Sequence, residues 1–300
     1  MAEATVTAIA NQKGGVAKTT TALSLAAALA EHDRAVLVLD LDPQACLTYS
    51  MGHDPDLLEP SLHDVIVGRA PLAKTIIQDR TFDLAPANID LAGAEVTLLS
   101  RTGREYLLRG ELADLLDSYD DILIDCPPSL GVLTINGLTA ANQVLVPVQC
   151  ETLAHRGVAQ LLETIQDVRR LTNRSLTVRG VVATQFDGRS SHSRAVLRDT
   201  LDRYGLPLVG PPVRKSVRFA EAPARGRTIL EHAGTVPGAA AYRAIARALL
   251  DLPADDALLA AAGWSPAQRA AVFGVGPVDV VADVADEVDD IDLADGDPRE

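Results

Sequence analysis

The sequence has few cysteines and no long apolar run, and each shortage excludes a class of protein. Its three cysteines, Cys46, Cys126 and Cys150, are odd in number and far apart, which fits reduced thiols better than disulfides or a zinc site. No stretch of about 18 apolar residues occurs, so a membrane-spanning helix is not expected. Residues 1–12 lack the basic start and apolar stretch of a secretory signal. We therefore expect a cytoplasmic protein.

Charge is distributed unevenly along the chain, although the formal net charge is −14. Residues 251–300 contain 13 acidic residues and 2 arginines, whereas residues 169–227 contain 13 basic and 4 acidic residues. The acidic total therefore comes largely from the C-terminal end, and a basic stretch lies inside the chain. Such a stretch can form a face that binds phosphate backbones even when the whole protein is acidic.

Apolar runs alternate with helical patterns over the first 250 residues. The predicted strands are 6–10, 35–40, 83–85, 122–125, 144–147, 178–184 and 208–210. The predicted helices are 18–31, 103–118, 133–141, 158–172, 191–204 and 238–250. Continuous Val, Ile and Leu runs between helices indicate an α/β fold with a mostly parallel, doubly wound sheet. Right-handed crossovers then place every strand-to-helix loop at one edge of the sheet, where we expect the functional site.

The character of the sequence changes after residue 252. We expect residues 1–252 to form one domain, and residues 253–300 to be an acidic tail that is flexible, disordered or loosely packed. Two exceptions remain open within this tail. A short helix could start at Trp264-Ser265-Pro266, and an extra packed helix could form over residues 257–262.

A glycine-containing loop, Asn-Gln-Lys-Gly-Gly-Val-Ala-Lys-Thr-Thr over residues 11–20, joins the first predicted strand to the first helix. Backbone N–H groups and the helix dipole converge on an anion in such an arrangement. Lys18 is expected to contact the β- and γ-phosphates of a nucleotide, the Thr19 hydroxyl to ligate Mg²⁺, and Thr20 to contact the α-phosphate. The expected nucleotide-binding residues are Gly14, Gly15, Val16, Ala17, Lys18, Thr19 and Thr20.

Carboxylates end two of the predicted strands. Asp40 and Asp42 are two residues apart, so they point to the same side of the strand end. Such a pair suits contacts with the waters of Mg²⁺ and orientation of an attacking water. Asp125 follows an apolar run and is expected to hold Mg²⁺ through water. The patterns at Thr19 and Asp125 therefore predict magnesium residues.

The loop departs from the ordinary Walker A pattern, which has glycine in place of Gln12 and Ala17. It matches instead the form with an additional early lysine, and so resembles the deviant Walker A ATPases of the ParA/MinD superfamily of P-loop NTPases. This resemblance implies that ATP and Mg²⁺ are the cofactors. It also implies that Lys13 crosses a dimer interface to the partner's nucleotide, and that Asp42 is the catalytic carboxylate. Asp40, by the same resemblance, supports the magnesium shell, so the predicted magnesium residues are Thr19, Asp40 and Asp125.

Further motifs resemble the ParA/Soj branch, and the resemblance covers residues 5–250. They are Asp-Cys-Pro-Pro-Ser-Leu-Gly at 125–131, Thr-Gln-Phe-Asp-Gly-Arg at 184–189 and Val-Arg-Phe-Ala-Glu-Ala-Pro at 217–223, the last of which flanks the adenine in this family. One segment departs: residues 154–157 read Ala-His-Arg-Gly where Ala-Leu-Glu-Gly is usual.

The ParA/Soj resemblance implies a chromosome- or plasmid-partitioning ATPase that acts on the nucleoid. It implies an ATP-dependent homodimer that binds DNA without sequence preference and is released by slow hydrolysis, which a ParB-like partner stimulates. The basic residues in the matching segments are the expected DNA contacts, because phosphate binding needs only Lys and Arg. They are Arg189, Arg214, Lys215, Arg218, Arg225 and Arg227.

Other branches of the superfamily are less consistent with the sequence. A MinD-like protein needs a basic amphipathic C-terminal helix to bind anionic lipid, whereas this C-terminus is acidic, so no membrane partner is expected. The cysteines lack the pattern of an iron–sulfur electron donor. Two alternatives stay open: a nucleotide switch that positions a protein cargo, and a metabolic ligase or reductase with its own substrate pocket.

Overall fold

A computed structural model describes residues 3–151 and 154–273, and it contains one six-stranded parallel sheet. The strands are β1 Thr5–Ile9, β2 Val36–Asp40, β3 Asp83–Ala85, β4 Asp121–Asp125, β5 Gln143–Gln149 and β6 Thr177–Thr184. Their spatial order is β3-β2-β4-β1-β5-β6, and every neighbouring pair is parallel. The expected parallel, doubly wound α/β fold is confirmed.

Helices connect the strands and cover both faces of the sheet. The α-helices are α1 Lys18–Ala30, α2 Cys46–Ser50, α3 Leu62–Val67, α4 Leu91–Leu98, α5 Leu107–Leu112, α6 Val132–Ala140, α7 Ala154–Leu171, α8 Ser191–Tyr204, α9 Arg218–Glu221, α10 Ile229–Ala233, α11 Pro237–Leu249, α12 Asp256–Ala261 and α13 Pro266–Phe273. Single 3₁₀ turns occur at Pro55–Leu57, Leu72–Lys74, Arg104–Tyr106 and Pro223–Arg225. None of these helices is both long and apolar enough to cross a membrane, within the described part of the chain.

The sheet separates two apolar layers. Alternate residues of β2 enter opposite layers: Leu37 and Leu39 pack on one side, and Val36 and Val38 pack on the other. Every residue of β2 and β4 is buried, because both strands lie in the interior of the sheet with helices on each face. This double burial explains why the strands appear in the sequence as continuous apolar runs.

Two predicted elements differ from the structure. Residues 208–210 do not form a strand; Leu208 makes one isolated parallel bridge to Val181. The helix predicted over 103–118 is a 3₁₀ turn followed by α5, because the Asn136 side chain accepts from the N–H of Leu108 and donates to the carbonyl of Arg104. These tertiary bonds replace part of the regular helical pattern that local propensity predicts.

Residues 253–273, the C-terminal extension, pack on the domain, whereas the sequence predicts a disordered or loosely packed tail from residue 253. Asp255 caps α12, α12 packs on α11, and α13 packs on α8. Trp264 lies between the two helices with only 7% of its surface exposed. The alternative of a packed helix near 257–262 matches α12. The remainder of the expected tail, residues 274–300, lies outside the described residues.

Candidate nucleotide site

The expected site residues meet at the carboxyl ends of β2, β4 and β1, which are neighbours in the middle of the sheet. The loop after β1 leads directly into α1, which begins at Lys18. Gly15 and Ala17 have positive φ values of 75° and 65°. A positive φ costs conformational energy in alanine but not in glycine. Ala17 is therefore strained, at a position where the family that the sequence resembles usually has glycine.

Side chains at the ends of β1 and β6 hold the loop from behind. The Thr184 hydroxyl donates to the carbonyl of Val16 at 2.9 Å, and the Gln185 amide donates to the carbonyl of Gly15 at 2.6 Å. Asn11 bridges the carbonyl of Pro147 and the N–H of Lys13 at 2.8 and 2.9 Å. The bonds from Thr184 and Gln185 engage loop carbonyls, while the first N–H groups of α1 have no intrahelical acceptor and are available to an anion.

Lys18 is buried beneath this loop. Its side-chain nitrogen lies 3.5 Å from the carbonyl oxygen of Lys13. Burial lowers the pKa of Lys18, while the nearby carboxylates of Asp125 and Asp42 act to raise it. A cation desolvated beside two carboxylates is suited to contacting phosphate oxygens at the mouth of the loop.

Thr19 and Asp125 form the part of the site that fits a magnesium ion. The Thr19 hydroxyl donates to Asp125 Oδ2 at 2.7 Å, and Asp125 Oδ1 is buried without a hydrogen-bond partner in the described part of the chain. Burial, reinforced by the charge of Asp40, raises the pKa of Asp125 well above its usual range. A hydroxyl and an unsatisfied buried carboxylate oxygen are ligands that Mg²⁺ prefers, directly or through water.

Asp40 is expected to contact magnesium, and in the structure its carboxylate accepts hydrogen bonds from other parts of the protein. It is fully buried, and its Oδ2 accepts from both the N–H and the hydroxyl of Thr48, at 2.9 and 2.7 Å. The Thr48 hydroxyl in turn accepts from the N–H of Ala87 at 3.0 Å. Burial raises the pKa of Asp40 to about 6 despite these bonds. Asp40 therefore anchors α2 and the loop that precedes it.

That loop carries Asp42, the expected catalytic carboxylate. Asp42 is half-buried, and its Oδ1 accepts from the N–H of Gln44 at 3.0 Å. Its own N–H donates to Asp40 Oδ1 at 3.4 Å. The buried Asp40 thus holds the more exposed Asp42 at the entrance of the site, where an attacking water would need to be oriented.

Lys13, expected to act on a partner's nucleotide, contacts Glu151 of its own chain. Its side-chain nitrogen lies 3.3 Å from Glu151 Oε2, with 27% and 59% of the two side chains exposed. Gln149 donates to the other carboxylate oxygen at 2.6 Å. Because exposed ion pairs stabilise by only about 0–1 kcal/mol, this contact can be exchanged for another at little cost.

A cavity of about 290 Å³ opens beside the phosphate loop. We call it the base cavity, because its lining includes residues of the segment 217–223, which flanks the adenine base in the family that the sequence resembles. Its lining residues are Ala17, Thr20, Thr184, Gln185, Val213, Arg214, Lys215, Ser216, Phe219, Ala220 and Tyr242. The hydroxyl groups of Tyr242 and Thr21 are 3.0 Å apart, and the ring of Phe219 packs edge-on against that of Tyr242. Sequence reasoning missed Tyr242, whose only signal is a single aromatic residue in the alanine-rich α11.

The six expected DNA contacts do not share one environment. Arg189, Lys215 and Arg227 are exposed. Two further arginines are exposed but paired: Arg218 contacts Glu221 at 2.7 Å, and Arg225 donates to His232 at 3.1 Å.

Arg214 differs from the expected DNA contact. It is half-buried, and its guanidinium donates to the carbonyl of Gly263 at 2.6 Å. The C-terminal extension contacts Arg214, so its guanidinium is engaged within the protein, and its part in DNA binding stays a prediction.

Comparisons with known proteins agree on one family. A family model described as an AAA domain matches residues 4–178, which is more than half of the chain. The chromosome partitioning protein ParA of Caulobacter vibrioides is 40% identical over 83% of this chain and 95% of its own length.

Solved structures similar to this chain carry different names. Cobyrinic acid a,c-diamide synthase from Mycobacterium smegmatis, solved with ADP and magnesium, is 50% identical over 84% of this chain and 99% of its own, with a TM-score of 0.74. Apo McdA from Cyanothece is 26% identical over 82% of this chain and 99% of its own, with a TM-score of 0.75.

Replacing Thr48 with valine tests how Asp40 is stabilised. Thr48→Val removes the hydroxyl that donates to the carboxylate and should lower the free energy of unfolding by about 1–3 kcal/mol at neutral pH. The folded-state pKa of Asp40 is already raised above the reference value of 3.8, and losing a donor raises it further. Stability that depends on a raised carboxyl pKa is lost as the pH rises, so the deficit should be smallest near pH 3.8 and largest well above about pH 6. The part of the deficit that comes from losing the bond to the Ala87 N–H should not change with pH.

Urea unfolding at about pH 4.5 and about pH 8 measures this difference. Thr97→Val is the control, because the Thr97 hydroxyl is exposed and donates to the carbonyl of Gly93 in its own helix. It should change stability by less than about 0.5 kcal/mol at either pH. A pH-independent loss in Thr48→Val would contradict the role assigned to its hydroxyl.

Proposed function

The chain belongs to the ParA/MinD-type family of P-loop ATPases, and from that premise we propose that it is a partitioning ATPase. Bound to ATP, it forms a dimer that holds DNA without sequence preference, and hydrolysis releases it. The observation that carries the proposal is the meeting of Lys18, Thr19, Asp125 and Asp42 at one edge of the sheet. The 40% identity to a ParA protein supports the choice of branch.

ATP with Mg²⁺ is the proposed cofactor of this site. The relative solved with ADP and magnesium supports this choice, and the unsatisfied oxygen of Asp125 fits the ion. Lys18 and the N–H groups of the loop hold the phosphates, and Thr19 and Asp125 hold the ion, whose positive charge offsets negative charge on the phosphates. Asp40 supports this arrangement through the loop that it anchors. Asp42 orients the attacking water.

A second copy of the chain completes the site. Lys13 leaves its exposed pair with Glu151 and contacts the nucleotide of the partner subunit. A ParB-like protein stimulates hydrolysis, and the DNA-bound state places the protein on the nucleoid in the cytoplasm. DNA phosphates are contacted by Arg189, Lys215, Arg218, Arg225 and Arg227.

Two substitutions separate nucleotide binding from hydrolysis. Lys18→Ala removes the buried cation and should abolish ATP binding, whereas Asp42→Ala should keep ATP binding and lower hydrolysis by about 100-fold or more, because it removes the group that orients water. Calorimetry with ATP and Mg²⁺ and a phosphate-release assay measure the two effects. Lys74→Ala, in a 3₁₀ turn between α3 and β3, is the control and should leave both unchanged. Normal turnover by the Asp42→Ala protein would refute the role given to Asp42.

DNA binding is tested by co-sedimentation with ATP, ADP or no nucleotide at low and moderate salt. Binding should require ATP and fall steeply with salt, because phosphate contacts release counterions. Arg218→Ala should weaken it at every sequence tested. Arg170→Ala is the matched control, since Arg170 is exposed near the end of α7, at the opposite edge of the sheet from the phosphate loop. Equal binding by both variants would remove Arg218 from the proposed DNA surface.

A second candidate function, ATP-dependent amide formation on an acid substrate, is favoured by the 50% identity to a protein named cobyrinic acid a,c-diamide synthase. It predicts phosphate release that depends on cobyrinic acid and ammonia and is indifferent to DNA. A third, a switch that positions a protein cargo, predicts ATP binding without DNA binding in the co-sedimentation experiment.

A further inference from the structure

The C-terminal extension contacts the wall of the base cavity through Arg214. This arginine lines the cavity, and its Nη2 donates at 2.6 Å to the carbonyl of Gly263, which joins α12 to α13. The contact therefore links the C-terminal extension to the proposed nucleotide site.

Gly263 fits closely against the arginine. Its φ is +72°, and a Cβ added there would lie 2.7 Å from Arg214 Cζ and Nη2. Glycine is thus favoured for two reasons, the left-handed backbone and the close approach of the guanidinium. Any side chain at this position would push the guanidinium of Arg214 away.

The extension is anchored independently of Arg214. Trp264, the residue after Gly263, is packed in the core, and α12 packs on α11, the helix that carries Tyr242 of the cavity. The Arg198 guanidinium of α8 donates to the carbonyl of Val272 in α13. Gly263 is therefore a fixed point for the contact with Arg214, since its flanking helices are held by other parts of the domain.

The cavity wall at residues 213–216 lies between two attachments. On one side the wall is attached to the end of β6. The N–H of Val213 donates to the carbonyl of Ala183 at 2.8 Å, and the carbonyl of Val213 accepts from the N–H of Phe186 at 2.9 Å. On the other side, the adjacent Arg214 is held by Gly263. The phosphate loop is held instead by Thr184 and Gln185.

We propose that the C-terminal extension is a brace for the base cavity, and that Arg214 is a positioning residue through which Gly263 sets the wall at residues 213–216. The brace tunes affinity for the base and ribose of the nucleotide and leaves the phosphate subsite unchanged. This inference rests on the proposed nucleotide-binding function.

Two glycine substitutions with similar backbone strain test the brace in the full-length chain. Gly263→Ala adds a methyl group against Arg214, whereas Gly205→Ala, at φ +59° with nothing within 4 Å of the added atom, adds the strain alone. Affinities are measured by calorimetry for ADP with Mg²⁺ and for inorganic pyrophosphate, which has no base. Gly263→Ala should weaken ADP binding by about threefold to tenfold and leave pyrophosphate binding unchanged. Gly205→Ala should change neither.

Arg214→Ala provides a second variant without backbone strain, and it should weaken ADP binding selectively in the same way. Equal ADP affinity in Gly263→Ala and Gly205→Ala would overturn the brace. So would a parallel loss of ADP and pyrophosphate binding, which indicates general loosening of the site. Failure of the wild-type chain to bind either molecule would instead contradict the proposed function itself, and the brace with it.

Discussion

The site depends on two carboxylates buried side by side at the ends of neighbouring strands. Asp40 and Asp125 are register partners on β2 and β4, and burial raises the pKa of each. Burying two like charges is costly unless other groups compensate them. Thr48 supplies donors to Asp40, whereas one oxygen of Asp125 is buried without a partner in the described structure. That imbalance favours a cation beside Asp125, and Lys18 and a nucleotide-bound metal ion are suited to supply positive charge there.

The arrangement of the site could be predicted from sequence because it depends on local order. Apolar runs identify β1, β2 and β4, and parallel strands bring their carboxyl ends together whatever the details of packing. Lys18, Thr19, Asp42 and Asp125 therefore lie at the expected edge. Their roles in binding and hydrolysis stay predictions until they are measured.

Contacts between distant parts of the chain could not be predicted in this way. The hydrogen bonds between Asp40 and Thr48 depend on how α2 packs over β2. The contact of Arg214 with Gly263 depends on a C-terminal extension whose short, weakly periodic helices are stabilised by packing around Trp264. A count of basic residues cannot distinguish such an engaged arginine from exposed ones such as Arg189, because the two differ only in their tertiary surroundings.

Two cations near the site are held in weak, exposed ion pairs. Lys13 contacts Glu151, and Arg218 contacts Glu221, so each can exchange its partner at small cost. In the proposed function, Lys13 contacts the nucleotide of a second copy of the chain. Nucleotide binding and association of two chains would then be one coupled event.

Sedimentation velocity of the Asp42→Ala protein with ATP, with ADP and without nucleotide tests this claim most directly. The account predicts a dimer with ATP alone. It also predicts that adding Lys13→Ala restores the monomer although ATP remains bound. A protein that stays monomeric with bound ATP, or a dimer that persists without Lys13, would contradict the account.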